Sequence, residues 1–96
     1  MSVIEVGSAV VPTKGKYAGR PMVALGVLDG YAYLCDGKKR GLDRPKRKKL
    51  CHLRLISPDA PRLTVDAGLT NGGIRRYLKA YRACAQIPDD MNTIQQ

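Results

Sequence analysis

Residues 22–35 read MVALGVL-DG-YAYLC, two apolar runs joined by Asp29-Gly30. A two-residue Asp-Gly connection predicts a β-hairpin with a type I′ turn, because both central residues must adopt positive φ. The length of the turn also sets the register of the two strands. Four cross-strand pairs are predicted: Leu28 with Tyr31, Val27 with Ala32, Gly26 with Tyr33, and Leu25 with Leu34.

The predicted register divides the hairpin side chains between two faces, since successive strand residues point to opposite sides. The better core candidates share one face: Val23, Leu25, Val27, Ala32 and Leu34. Gly26, Leu28, Tyr31 and Tyr33 share the other. An aromatic ring across from glycine covers bare backbone, which favours a packing role for Tyr33. The alternative is that Tyr31 and Tyr33 are candidate base-stacking surfaces.

Short apolar runs separated by glycines continue from Val3 to Leu55, which predicts several short strands in a small barrel or sandwich. Ser57 to Pro61 then carries two prolines, which disfavour regular structure and indicate a linker. The expected organisation is a β domain over 1–57, a linker over 58–70, a C-terminal helix within 71–87 and a flexible polar tail over 88–96.

The C-terminal helix is predicted from the spacing of its apolar side chains. Thr70 or Asn71 can cap a helix that begins between Gly72 and Ile74, reaches about Ala85 and is stopped by Pro88. Its apolar positions are Ile74, Tyr77, Leu78 and Tyr81, and its basic ones are Arg75, Arg76, Lys79 and Arg82. These basic residues form either an ordinary solvated face or an additional phosphate-binding face.

The charge of the chain points to a polyanionic partner. The 96 residues carry a formal charge of +9, and the pI near 9.8 lies in the range of nucleic-acid binders. Residues 36–54 hold the densest basic stretch, opposed there by Asp36 and Asp43. A run of basic residues can also be a localisation signal or a disordered tail. This one continues into the apolar segment 50–56, which needs a folded surface to pack on.

Membrane surfaces are the competing anionic partner. No apolar run in the sequence approaches the length of a membrane span, and the N-terminus lacks a secretory signal pattern, so a cytoplasmic location without membrane partners is expected.

Catalytic and metal-binding patterns are weak. The three cysteines have no paired spacing, and Cys51 and His52 are strand neighbours that would point to opposite faces, so no metal site is predicted. With one histidine and no cluster of acidic residues, general acid-base catalysis lacks its usual groups. We therefore expect a protein that is not an enzyme and needs no cofactor.

Residues 7–20, GSAVVPTKGKYAGR, resemble the KOW motif of ribosomal and transcription-associated proteins. Residues 36–53, with Asp36-Gly37, a basic loop and PKRKKLCHL, resemble the equivalent region of the large-subunit ribosomal protein family called 14e and its small bacterial relatives. The resemblance covers about residues 4–56. It implies a five-stranded SH3-like barrel that binds ribosomal or other structured RNA. The short acidic tail, in place of a long basic extension, favours a dissociable ribosome-associated factor.

Carried onto this chain, the resemblance and the charge pattern together predict the RNA contacts. They are the KOW-turn residues Lys14, Gly15, Lys16, Gly19 and Arg20, and the basic-loop residues Lys38, Lys39, Arg40, Arg44, Lys46, Arg47, Lys48, Lys49 and His52. The glycines allow the backbone to turn tightly and the cations to meet phosphates. A second hypothesis is a protein-interaction KOW barrel, associated with transcription or translation machinery, whose basic strip meets an acidic protein. An enzyme is the third.

Overall fold

Five antiparallel strands and one helix make up the computed structural model, which describes residues 3–57 and 60–81. The strands are β1 (Ala9–Pro12), β2 (Met22–Leu28), β3 (Tyr31–Cys35), β4 (Lys46–Lys49) and β5 (Leu53–Leu55), followed by α1 (Asn71–Lys79). A 3₁₀ turn, Leu50–His52, separates β4 from β5. The sheet order is β4-β3-β2-β1-β5. The prediction of a mostly β fold with a C-terminal helix is confirmed.

The β2–β3 hairpin has the predicted turn. Asp29 and Gly30 both adopt positive φ, 53° and 81°. Three of the four predicted pairs are confirmed, those of Leu28, Val27 and Gly26 with β3. The fourth is wrong, because a β-bulge between Ala24 and Gly26 inserts one extra residue into β2. Ala24, not Leu25, therefore pairs with Leu34.

The bulge changes which residues share a face, since one inserted residue reverses the alternation that follows it. Val23 and Leu25 lie on one face of the sheet, whereas Ala32 and Leu34 lie on the other. The single core face predicted for these four residues is therefore wrong. Each face of the sheet carries part of the core instead.

Two hydrophobic clusters cover the two faces. The first joins the sheet to the helix: Ala9, Val11, Val23, Cys35, Ile56, Ile74 and Leu78. The second lies on the opposite face: Val10, Tyr17, Met22, Ala24, Ala32 and Leu34. Alternate residues of β1 enter the two clusters, as the twofold period of a strand requires.

Residues 60–70 have irregular backbone, but they pack across the sheet. The Leu63 N–H donates to the Gly7 carbonyl at 2.9 Å, and the Leu63 and Leu69 side chains pack against the first cluster. Gly7 has φ of +91°, and a Cβ at that position would collide with the Leu63 carbonyl oxygen. The segment that the sequence predicts as a linker is therefore a strap that fastens the helix to the sheet.

The helix begins at one of the two predicted capping residues. The Thr70 hydroxyl accepts a hydrogen bond from the Gly73 N–H at 3.0 Å, so Thr70 is the N-cap. Ile74 and Leu78 are buried in the first cluster, which accounts for the stability of a helix that is too short to form alone. Among the described residues no helix has the length and apolar character needed to cross a membrane.

α1 ends at Lys79, before the predicted end near Ala85. The N–H groups of Ala80 and Tyr81 bond to carbonyls three residues earlier, so the last turn is tighter than an α-helix. Residues 82–96 lie outside the described part of the chain, as do the predicted roles of Arg82, Pro88 and the tail.

Candidate nucleic-acid interface

The connection between β1 and β2 forms the tight turn predicted from its glycines. Gly15 and Gly19 adopt φ of +87° and +80°, and the Gly19 N–H donates to the Pro12 carbonyl at 3.0 Å. Lys14 and Lys16 are exposed on this turn. The loop therefore presents two cations from an ordered backbone.

His52 supports the turn through its backbone. Its carbonyl accepts from the Thr13 N–H at 2.8 Å and from the Thr13 hydroxyl at 3.1 Å. The sequence predicts an RNA contact for His52, and the structure gives its carbonyl a separate, architectural role. The bond ties the 3₁₀ turn before β5 to the start of the β1–β2 turn, residues 13–20, which we call the KOW-like turn after its sequence resemblance.

Arg40 fastens the basic loop to the same turn. Its Nε donates to the buried Tyr17 hydroxyl at 3.0 Å, and its guanidinium carbon lies 5.7 Å from the centre of the Tyr17 ring. This hydrogen bond lowers the pKa of the Tyr17 phenol. A further N–H of Arg40 donates to the Arg44 carbonyl at 3.3 Å. Two N–H groups of Arg40 therefore donate to partners within the protein.

Asp36 organises the first half of the basic loop. One carboxylate oxygen accepts from the N–H groups of Lys38 and Arg40, each at 2.9 Å, and the other lies 3.4 Å from Arg20 Nη1. The side chain is 6% exposed. Asp36 therefore closes the loop and is neutralised by its partners, so it opposes the surrounding cations less than a free carboxylate would.

Lys46 to Lys49 form an edge strand, β4, although the sequence suggests one undivided basic loop. Alternation places them on two faces. Arg47 and Lys49 pair with Tyr33 and Tyr31 and are exposed, whereas Lys46 and Lys48 are half-buried beside β3 on the opposite face. The four predicted RNA contacts of this segment therefore divide between the two faces of β4.

Tyr31 and Tyr33 share one face of the sheet with Arg47 and Lys49, called the outer face below, and have different neighbours there. The Arg47 guanidinium carbon lies 4.5 Å from the centre of the Tyr31 ring, a cation–π contact. A Cβ built on Gly26 would lie 3.9 Å from Tyr33 Cδ2, so the Tyr33 ring covers bare backbone. Both rings are half-buried. Tyr33 fits the packing interpretation, and Tyr31 joins an aromatic surface to an exposed cation.

β4 lies directly beside the KOW-like turn. A Cβ built on Gly15 would be 2.6 Å from Lys48 Nζ, so the lysine head occupies the space that the glycine leaves open. Two basic segments that are distant in the sequence are therefore neighbours in the fold. The positive φ of Gly15, +87°, favours glycine there.

A groove of about 410 Å³ brings cations from three segments together. It is lined by residues of the turn, the basic loop and α1: Lys16, Ala18, Gly19, Arg20, Pro21, Asp36, Lys38, Arg75 and Leu78. Arg75 Nη1 donates to the Gly37 carbonyl at 2.5 Å. The sequence offers Arg75 only together with the other basic residues of the helix, because no local pattern separates it from Arg76; only the packing of α1 on the loop does.

The remaining predicted contacts, Lys39 and Arg44, are exposed outside the groove lining. Within residues 3–57 and 60–81 there are two ion pairs, Arg20–Asp36 and Arg62–Glu5. Most cations of the turn, the loop and β4 therefore have no carboxylate partner in the described structure, and their positive potential extends into solvent.

The cysteines in the described ranges are free thiols. Burial raises the pKa of Cys35 to about 11, which keeps that thiol protonated and unreactive at neutral pH. Cys51 is exposed. The described part of the chain contains no group of three His, Cys, Asp or Glu side chains arranged to hold a metal ion.

Comparisons with known proteins do not assign the chain to a family: no protein-family model matches it, and no curated protein does either.

Proposed function

We propose that this chain is a non-enzymatic RNA-binding protein of the KOW type. Its five strands form an SH3-like barrel, and its partner is structured RNA, ribosomal RNA foremost. The observation that carries this proposal is the contact between Lys48 and Gly15, which makes the turn and β4 one continuous cationic surface. Both parts of that surface come from the segments that resemble KOW proteins.

The chemistry of the surface suits binding by charge. Its exposed side chains are chiefly lysines and arginines, which donate hydrogen bonds and attract phosphates but carry little base-specific information. Recognition would then depend on the shape of the RNA, as for other proteins that contact structured RNA through its backbone. Tyr31 adds one site where an unpaired base could stack beside Arg47.

Direct binding tests the proposal. The purified chain is titrated against a labelled structured RNA at several salt concentrations, and fluorescence anisotropy is recorded. We expect tight binding at low salt that weakens steeply as salt rises, because phosphate contacts release counterions. Absence of binding, or affinity independent of salt, would overturn it. Crosslinking followed by sequencing of the bound RNA would then identify the natural partner.

A protein-interaction module of the transcription or translation machinery is the second candidate. The position of β4 at the edge of the sheet favours it, since the outer backbone groups of an edge strand can pair with a strand of another protein. An affinity pulldown with and without ribonuclease separates the two candidates. Partners that survive RNA digestion support protein contact, and partners lost on digestion support RNA binding.

A further inference from the structure

We propose that the groove between the turn, the basic loop and α1 is a specific seat for a phosphate group of the RNA backbone, and that Arg75 of α1 is one of its contacts. This inference rests on the proposed function and adds a defined location to it. It also extends the binding surface from the β domain to the C-terminal helix.

The charge balance of the groove favours an anion. Four of its lining residues are cations, Lys16, Arg20, Lys38 and Arg75, and one is a carboxylate, Asp36. Asp36 is already satisfied, by two backbone N–H groups on one oxygen and by Arg20 on the other. Three positive charges thus remain in excess around one concave surface, where their potentials add.

The groove also has suitable donors. Arg75 uses one N–H on the Gly37 carbonyl, and a guanidinium has five. That bond holds its planar head beside the loop, so the head is already oriented for a phosphate. Lys38 and Lys16 are exposed and supply two further charges at the groove wall. A fixed arginine combined with flexible lysines is an arrangement that phosphate recognition commonly uses.

The groove is large enough for a phosphate group, and part of its wall is held in place by packing. Its volume, about 410 Å³, lies within the range of roughly 300 to 1,000 Å³ typical of ligand sites. The loop and helix that form it are packed so closely that a Cβ on Gly37 would collide with the Asn71 carbonyl oxygen and approach Arg75 Cγ to 3.1 Å. Packing therefore fixes the position of Arg75 relative to the basic loop.

The chain supplies a matched control for each of three groove cations. Lys16, Lys38 and Arg75 line the groove, whereas Lys14, Lys39 and Arg76 do not. Each control is the same residue type, lies one or two positions away, and is exposed. Lys16→Gln/Lys38→Gln/Arg75→Gln and Lys14→Gln/Lys39→Gln/Arg76→Gln thus remove the same net charge from the same three segments.

Anisotropy titrations of both triple variants against one structured RNA test the groove. Three lost phosphate contacts should shallow the slope of log K against log salt by about two units for the groove variant, and weaken binding at least roughly tenfold relative to the control variant. Equal losses, or a larger loss from the control variant, would overturn the groove and leave RNA binding itself intact. Thermal melts verify that both variants fold.

Two further measurements guard against indirect effects. Arg75→Gln also removes the hydrogen bond to Gly37. The single substitutions Lys38→Gln and Lys39→Gln are therefore compared as well, because the Lys38 ammonium group can be removed without changing that bond. A larger loss of affinity for Lys38→Gln than for Lys39→Gln supports the groove, and equal losses contradict it.

The second measurement is an amide NMR titration of the parent with inorganic pyrophosphate, which tests the site without RNA. Shifts concentrated at Gly19, Gly37 and Lys38 support a phosphate site in the groove. If the same chain does not bind RNA, the proposed function fails but the phosphate site is still supported. Absent shifts, or shifts spread evenly over exposed lysines, overturn the groove.

Discussion

Neutralising β4 should remove a measurable number of phosphate contacts. The variant Lys46→Gln/Arg47→Gln/Lys48→Gln/Lys49→Gln keeps polar side chains on the strand and deletes four positive charges. Arg47 and Lys49 are exposed on the outer face, and Lys48 borders the KOW-like turn. We therefore expect both faces of the strand to contribute to RNA binding.

The magnitude follows from the number of cations. Each cation that neutralises a phosphate adds about 0.7 to 0.9 to the slope of log K against log salt, so four contacts correspond to roughly three units. Between about 50 and 200 mM salt, the affinity of the parent should then fall roughly 60-fold more than that of the variant. Contacts from one face alone would give a difference of only roughly tenfold.

Two double variants assign the effect to the faces of the strand. Arg47→Gln/Lys49→Gln tests the outer face, and Lys46→Gln/Lys48→Gln tests the face towards the turn. Each should account for about half of the change in slope, because each removes two of the four charges. The assay is fluorescence anisotropy at a series of salt concentrations, with one labelled structured RNA used throughout.

A control variant with the same loss of charge shows whether location matters. Arg54, Arg62, Arg76 and Lys79 are all exposed and lie outside β4, the turn and the groove. Their joint replacement by Gln should change the slope by less than one third as much. If the β4 variant and this control give the same slope, binding depends on net charge alone and our placement of the surface is refuted. The control variant should melt close to the parent, since exposed charges add little to stability, and thermal melts verify that the β4 variants fold.

Three further predictions concern packing. Tyr33→Ala should lower the free energy of unfolding by about 1 to 3 kcal/mol, whereas Tyr31→Ala should chiefly weaken RNA binding because its ring supports Arg47; parent-like melting and binding in both would contradict both roles. Gly37→Ala should destabilise the fold by at least about 1 kcal/mol, because φ is +76° there and a Cβ meets the helix backbone; an unchanged denaturant midpoint would contradict it. Burial raises the pKa of Cys35 to about 11 from 9.0. The stability that this thiol contributes is therefore complete below pH 9.0 and is lost as pH rises through about 11. The free energy of unfolding of Cys35→Ala should decline less steeply over that range, as measured by denaturation at each pH.

The hairpin shows how far local sequence determines this fold. Asp29-Gly30 predicts the turn type and three of the β2–β3 pairs, because positive φ at both turn positions leaves few alternatives. The bulge at Leu25 was not predicted, since nothing in an apolar run marks one residue as extra. Its consequence is large: the core is divided between two faces, and the pairing of Leu34 changes.

The sequence predicts which basic residues belong to the candidate site, and the fold determines how they are arranged. Strand alternation separates Arg47 and Lys49 from Lys46 and Lys48, but only if residues 46–49 are known to form a strand. Four consecutive cations conceal that period because they show no polar and apolar alternation. Arg75 could not have been found in this way, since its place in the groove depends on how α1 packs against Gly37.

The arginines and lysines of the surface have different tasks, which charge counting alone does not reveal. Arg40 bonds to Tyr17, Arg20 to Asp36 and Arg75 to Gly37, so each arginine joins two segments of the surface. The planar fork of a guanidinium suits such fixed contacts, whereas a lysine ammonium is a mobile point charge. Lysines at the turn and loop are exposed and can adapt to phosphates at varied positions. A fixed framework of arginines that carries flexible lysines would allow the protein to hold one surface shape while it follows the irregular backbone of a structured RNA.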